Sequence, residues 1–169
     1  MVTQAPVSAA DVVGTVVDPE MPMLTLADLG VVRGVEVRGD AVTVTITPTY
    51  SGCPALAEMR ADLATALAGA GYRDVEVRTV FSPAWSTDWI TEDGRRKLAE
   101  AGIAPPGRAA PRTAGPIPLS LDPPSTAAVR CPRCGAPATE ELSRFGPTAC
   151  TELRRCAVCL EPFEHMKEI

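Results

Sequence analysis

Residues 46–67, ITPTYSGCPALAEMRADLATAL, join the end of an alternating strand to an amphipathic helix, with a cysteine at the junction. Val42, Val44 and Ile46 alternate with Thr43, Thr45 and Thr47, the period of a strand with one buried face. Pro48 ends the ladder, since proline has no N–H to donate. Leu56, Met59, Leu63 and Leu67 follow at spacings of three, four and four, which places them on one helix face packed back onto the sheet. Pro54 suits the first helical position. Cys53 then stands near the N-cap, where unpaired backbone N–H groups and the positive end of the helix dipole favour a thiolate. The pattern points to a reactive or metal-binding thiol. Free cysteine is also a common small core residue, but a core cysteine belongs more naturally on the Leu56 and Met59 face than in a Ser-Gly-Cys-Pro turn. Strand-to-helix loops are where sites tend to be built.

Toward the N-terminus, Ser8 can cap a short helix carrying Val12, Val13 and Val16, which Asp18-Pro19 stops because the residue before proline avoids helical geometry. Asp18-Pro19-Glu20-Met21-Pro22 reads as an acidic turn. Asp28 and Gly30 are turn residues before a strand of Val31, Val32, Val35 and Val37, and Gly39-Asp40 folds that strand onto Val42–Thr47 as a hairpin. Beyond the helix, Gly69-Ala70-Gly71 is a stop, and Val75, Val77 and Val80 form a third strand. Helix, hairpin, helix, strand is the order of a small α+β domain with its helices on one sheet face. Thr91 then caps a helix running to Ala101, ended by Gly102, and the spacing of Trp85 and Trp89 allows them to share a helix face as packing anchors or as a partner surface.

A chain of 169 residues, 46% hydrophobic, accommodates one domain or one domain with an appendage; its 17 prolines are unusual. Seven of the twenty residues from Pro105 to Pro124 are proline, a stretch that extends rather than buries a core. The expected division is an α+β domain over 1–104, a proline-rich linker over 105–128 and a cysteine-bearing module over 129–169. A net charge of −5 argues against nucleic acid or an anionic membrane as partner. There is no transmembrane run, and MVTQAPVSAA lacks a basic n-region and a long apolar h-region, so a cytoplasmic, reducing location is the default. Six cysteines in that setting suggest metal rather than disulfides.

Cys131-Pro132-Arg133-Cys134 and Cys156-Ala157-Val158-Cys159 are two C-x2-C pairs separated by twenty-one residues, slightly beyond the usual span of a four-thiolate zinc ribbon. Each pair lets two sulfurs converge on one cation, and Gly135 permits the tight turn under the first pair. So short a segment has little core, so structural zinc would supply much of its folding free energy. An iron–sulfur cluster or disulfides are the alternatives for the same four cysteines. Cys150 and the single histidine, His165, remain as spares, expected to pack around the ribbon. Without a basic surplus the ribbon reads as a protein-docking or dimerising module rather than a DNA reader.

Asp18-Pro19-Glu20, Asp28-Leu29-Gly30 and Gly52-Cys53-Pro54, in that order and at these separations, resemble the iron–sulfur assembly family known as domain of unknown function 59, over about residues 8–90. The stretch from Trp85 to Ile90, the sequence Gly102-Ile103-Ala104-Pro105-Pro106 and the tail with Phe145-Gly146 and Leu160-Glu161-Pro162-Phe163 look like the D subunits of phenylacetyl-CoA epoxidase, the PaaD type. The resemblance implies an accessory role in aerobic phenylacetate degradation, assembling or repairing the iron or iron–sulfur centres of the epoxidase. It implies Cys53 as ligand for transient iron or a cluster, with Asp18, Glu20 and Asp28 as accompanying turn residues. Epoxidase subunits and iron–sulfur assembly proteins are the implied partners.

An iron–sulfur cluster usually takes four protein ligands and this domain owns one cysteine, so Cys53 must share. A homodimer, an assembly partner, a client protein, or the carboxylates of Asp18 and Glu20 would complete the site. The competing reading is a non-catalytic structural subunit with an inert Cys53. A cysteine hydrolase lacks a base near the thiol. With no phosphate-binding glycine loop, no dinucleotide fingerprint and no pair of Glu-x-x-His sequences, the chain is not the oxygenase itself.

Overall fold

The structure is a computed structural model that describes residues 7–109 and 128–169. Most of the expected linker, 110–127, therefore lies outside the described residues. The chain forms two compact units that divide between Lys97 and Leu98.

In the first unit, α1 (Ala9–Gly14) opens with the expected Ser8 cap, completed as a box: the Ser8 Oγ accepts the Asp11 N–H and the Asp11 carboxylate accepts the Ser8 N–H, both at 3.2 Å. Strands β1 (Val32–Arg38) and β2 (Ala41–Ile46) form the antiparallel hairpin, with Gly39 at φ +62° in its turn. Helix α2 (Leu56–Gly69) carries the chain over to β3 (Asp74–Thr79), which lies parallel to β2 and gives the order β1-β2-β3. A parallel pair cannot be closed by a tight turn, and α2 is the crossover it needs. Its end is a Schellman cap: Gly71 takes φ +101°, its N–H bonds to the Ala68 carbonyl, and the Tyr72 N–H reaches back to Leu67.

The register sorts the sheet into two faces. Val35, Val44 and Val77 are aligned on one, with Met59, Leu63 and Leu67 of α2 buried; Glu36, Thr43 and Glu76 are aligned on the other, which is solvated. This is the expected α+β layer. α2 begins at Leu56 with Ala55 as its cap, so Pro54 is not in the first turn: the Leu56 N–H bonds to the Cys53 carbonyl in a preceding tight turn.

The paired tryptophans do not share a helix. Ser86 accepts the Asp88 N–H and starts a single 3-10 turn, Thr87–Trp89, after Trp85. Trp85 is 2% exposed and donates its indole N–H to the Leu29 carbonyl at 2.9 Å. Trp89 lies under the Arg33 guanidinium, 3.7 Å from the ring centroid. The expected Thr91 cap holds, since its Oγ1 accepts the Gly94 N–H at 3.0 Å as α3 (Glu92–Glu100) begins.

The second unit is a four-stranded sheet, β4-β7-β6-β5. Strands β5 (Thr139–Ser143), β6 (Thr151–Cys156) and β7 (Pro162–Met166) form an antiparallel meander, and β4 (Ile103–Ala104) joins β7 in parallel. The expected first domain ran to residue 104, whereas Ile103 and Ala104 are part of this sheet. A strand of two residues leaves no periodicity to read, and its partner lies some sixty residues downstream. One buried cluster of this unit joins Ala104, Val129, Phe163 and the cysteines 131 and 156, flanked by Ala136, and Leu98, Ile103 and Met166 are buried as well.

Candidate metal centre and thiol site

Two matching turns build the sulfur centre. In the first, the Gly135 N–H bonds to the Cys131 carbonyl at 2.9 Å with Gly135 at φ +73°. In the second, the Leu160 N–H bonds to the Cys156 carbonyl at 3.0 Å with Leu160 at φ +63°. Each turn places a residue in left-handed geometry four positions after its first cysteine. Sequence reasoning found the first through its glycine and missed the second, where leucine occupies the strained position. Leu160 is 67% exposed and contributes little burial. Leu160→Gly should therefore stabilise the second unit by about 0.5–1 kcal/mol, the relief of left-handed strain less the extra chain entropy of glycine. Denaturant unfolding of the metal-loaded protein measures this, and a lower midpoint would contradict it.

The two turns bring Cys131, Cys134, Cys156 and Cys159 together, all four Sγ atoms within 4.8 Å of one another. Cys131 and Cys159 are 3.7 Å apart, and Cys134 and Cys156 3.6 Å apart. Sulfurs about 2.3 Å from a tetrahedral cation stand roughly 3.8 Å apart, so the set fits zinc. The Cys156 thiol is lowered to about 6, first by the Cys159 backbone N–H and further by that of Val158 and by neighbouring sulfurs, with burial opposing. Cys159 is pushed up to about 12, by burial and by the neighbouring sulfurs, so without a cation the set favours ionising Cys156 while resisting ionisation of Cys159. Cys150 lies beside the Thr148 hydroxyl, and His165 pairs with Glu152, so neither spare joins the four.

In the first unit, Asp18 is 4% exposed and closes the acidic turn: its Oδ1 accepts the N–H groups of Glu20 at 2.9 Å and Met21 at 2.8 Å. Burial raises its carboxyl above the ordinary range despite these bonds. Glu20 is raised too, by burial and then by the charge of Asp18. Cys53 is 8% exposed, more buried than its place in a Ser-Gly-Cys-Pro turn suggests. Burial raises its thiol, and the charges of Glu20 and Asp18 add to the effect, against the N–H groups of Ala55 and Leu56 that favour the thiolate. The helix start is present as expected, but desolvation outweighs it. The charges of Asp18 and Glu20 thus both act against ionising Cys53.

Asp28 is committed elsewhere. Its Oδ2 accepts from Lys97 Nζ at 2.7 Å and from the Thr25 N–H at 2.9 Å, and its carbonyl accepts the Thr91 N–H at 2.9 Å. Burial would raise this carboxyl, but the bonds from Lys97 and Thr25 hold it below the usual range. Sequence reasoning also missed the buried triad Glu152, Arg154 and His165. The pairing of Glu152 and Arg154 on β6 with His165 on β7, through the register that sets Glu152 opposite His165, emerges only once the strands pair.

A helix-and-sheet domain with a buried cysteine at a strand-to-helix turn, followed by a ribbon whose four cysteines could hold a metal ion, defines the class. Residues 10–79 match the iron–sulfur cluster assembly protein family, and residues 119–167 match the PaaD zinc beta ribbon domain. The structure of a domain of unknown function 59 protein from Bacillus anthracis covers 53% of this chain and 87% of its own, at 25% identity and a TM-score of 0.50. A protein of Escherichia coli (strain K12), described as a putative D-type subunit of 1,2-phenylacetyl-CoA epoxidase, is 44% identical over 150 residues, 89% of this chain and 85% of that one. The chain belongs to this family of epoxidase D subunits. None of its described helices is long and apolar enough to cross a membrane.

Proposed function

We propose that the protein is an accessory factor of aerobic phenylacetate degradation that takes up iron or an iron–sulfur cluster at Cys53 and passes it to the epoxidase. The supporting observation is the grouping of Cys53 with Asp18 and Glu20, three groups whose burial and mutual repulsion oppose ionising together. A cation relieves that repulsion: the thiol proton leaves as a metal–sulfur bond forms, and the carboxylates balance the charge. One thiol does not enclose a cluster, so the epoxidase client, an assembly protein or a second copy supplies the other ligands. Such sharing favours transfer over storage. Asp28 supports the loop without touching cargo, the ribbon holds structural zinc, and the work takes place in the cytoplasm among the epoxidase subunits.

The burial of Cys53 favours a second reading, a structural subunit of the epoxidase in which the thiol only packs. Cys53→Ala and the near-isosteric Cys53→Ser separate the two. On the cargo reading, both variants accumulate normally, with a stability loss, read from the thermal midpoint, no larger than a small cavity costs, about 1 kcal/mol. The epoxidase purified from those cells is nonetheless poor in iron and phenylacetate-dependent growth fails. A folded variant beside fully metallated, active epoxidase would leave the structural reading in its place.

A further inference from the structure

We propose that His165 Nε2 and the Glu168 carboxylate form a second divalent-cation site, separate from the four sulfurs, on a cleft in the ribbon unit. The cleft has a volume of about 220 Å³ and is lined by the chain from Ala104 to Gly107, by residues 128–130, and by His165 and Glu168. It has room for a cation and several waters.

His165 is 3% exposed, and its Nδ1 lies 2.9 Å from Glu152 Oε1, which also accepts from Arg154 at 2.6 Å. A carboxylate so placed accepts a hydrogen bond from Nδ1–H, and in the ring held that way Nε2 carries the lone pair. That is how the imidazole of a metal ligand is oriented. Glu168 Oε1 lies 3.7 Å from Nε2, too far for a hydrogen bond. Glu168 Oε1 is steadied by the Gly107 N–H at 2.9 Å. Nitrogen and oxygen donors each about 2.1 Å from one cation stand roughly 3–3.5 Å apart, so a small shift of the partly exposed Glu168 completes the pair. Imidazole with carboxylate suits zinc, iron or nickel better than magnesium or calcium. Arg130 also lines the cleft, its guanidinium bonded to the Gly135 carbonyl at 3.1 Å, and its charge makes the site an exchangeable one.

The test uses the full chain with its ribbon already zinc-loaded, titrated with further Zn²⁺ by calorimetry and followed by ¹⁵N NMR of the imidazole. The chain has a single histidine, so that signal is unambiguous. One further equivalent should bind, moving Nε2 while Nδ1 keeps its proton. Glu168→Gln, which preserves the Gly107 contact, and His165→Gln should each weaken that equivalent at least tenfold. Cadmium-substituted samples, read at the ¹¹³Cd nucleus, should retain the four-sulfur signal in both variants and so establish that the ribbon is folded. No further equivalent, one that leaves the histidine signals unmoved, or one that survives Glu168→Gln undiminished would overturn the proposal.

Discussion

Cys131→Ser and Cys156→Ser should each release the ribbon's metal and unfold the second unit, while Cys150→Ser leaves both in place. The expectation rests on how little else holds that unit together. Around the sulfurs the buried cluster is Ala104, Val129 and Phe163 with the cysteines themselves, Cys131 at 2% and Cys156 at 0% exposure, and Leu98, Ile103 and Met166 are the further buried apolar side chains of the unit. Structural zinc in comparably small modules contributes about 10–16 kcal/mol of folding free energy, more than such a core supplies. A serine oxygen is a poor zinc ligand at neutral pH, and at either position it also places an unsatisfied hydroxyl in the core. The first unit has its own apolar interior, Leu24, Leu26, Leu29, Ile46, Met59 and Leu63 among it, and should stay folded. Elemental analysis gives the metal content, and amide NMR gives the two units separately. Cys150 is the control because it too is buried yet lies beside Thr148, outside the sulfur set. Full metal content with a native second unit in either ligand variant would mean the ligands are misassigned.

The contrast between what the sequence disclosed and what it concealed follows from contact range. The strand and helix around Cys53, the Ser8 and Thr91 caps and the glycine stop of α2 depend on neighbours within a few residues, and each was legible. The sulfur set was legible because two C-x2-C pairs are local devices that need only meet. Hidden features depended on distant partners. β4 exists through its pairing with β7, Trp85 is placed by the Leu29 carbonyl, and the His165 orientation is set by Glu152 across a strand pair. The protonation tendency of Cys53 was misjudged for the same reason: the helix start is local, whereas burial and the approach of Asp18 and Glu20 are tertiary.

Gly30→Ala should destabilise the first unit by roughly 2–5 kcal/mol, about 1–2 from left-handed backbone and about 1–3 from overpacking. Gly30 has φ +67°, and a Cβ there would lie 2.5 Å from the Trp89 carbonyl oxygen and 2.6 Å from the Trp89 Cβ, atoms that no side-chain rotation can clear. The surrounding bonds explain why the approach is so close. Asp28 takes Lys97 and the Thr91 N–H, the Leu29 carbonyl takes the Trp85 indole, and the Gly30 carbonyl receives Arg33. Asp28-Leu29-Gly30 is thus a clasp that binds the segment from Trp85 to Lys97, and the glycine is what lets it close. Gly39→Ala provides the comparison, because Gly39 has φ +62° with nothing within 4 Å of the added carbon and should suffer only the backbone cost. Urea unfolding of both variants measures the difference, which isolates the contact with Trp89. If Gly30→Ala proves no worse than Gly39→Ala, the clasp does not hold. If the expected gap appears, the motif residues divide by role. The Asp28 group maintains the fold, so its variants should lose function in proportion to protein, whereas on the proposed function Cys53 variants should fold normally and still leave the epoxidase poor in iron.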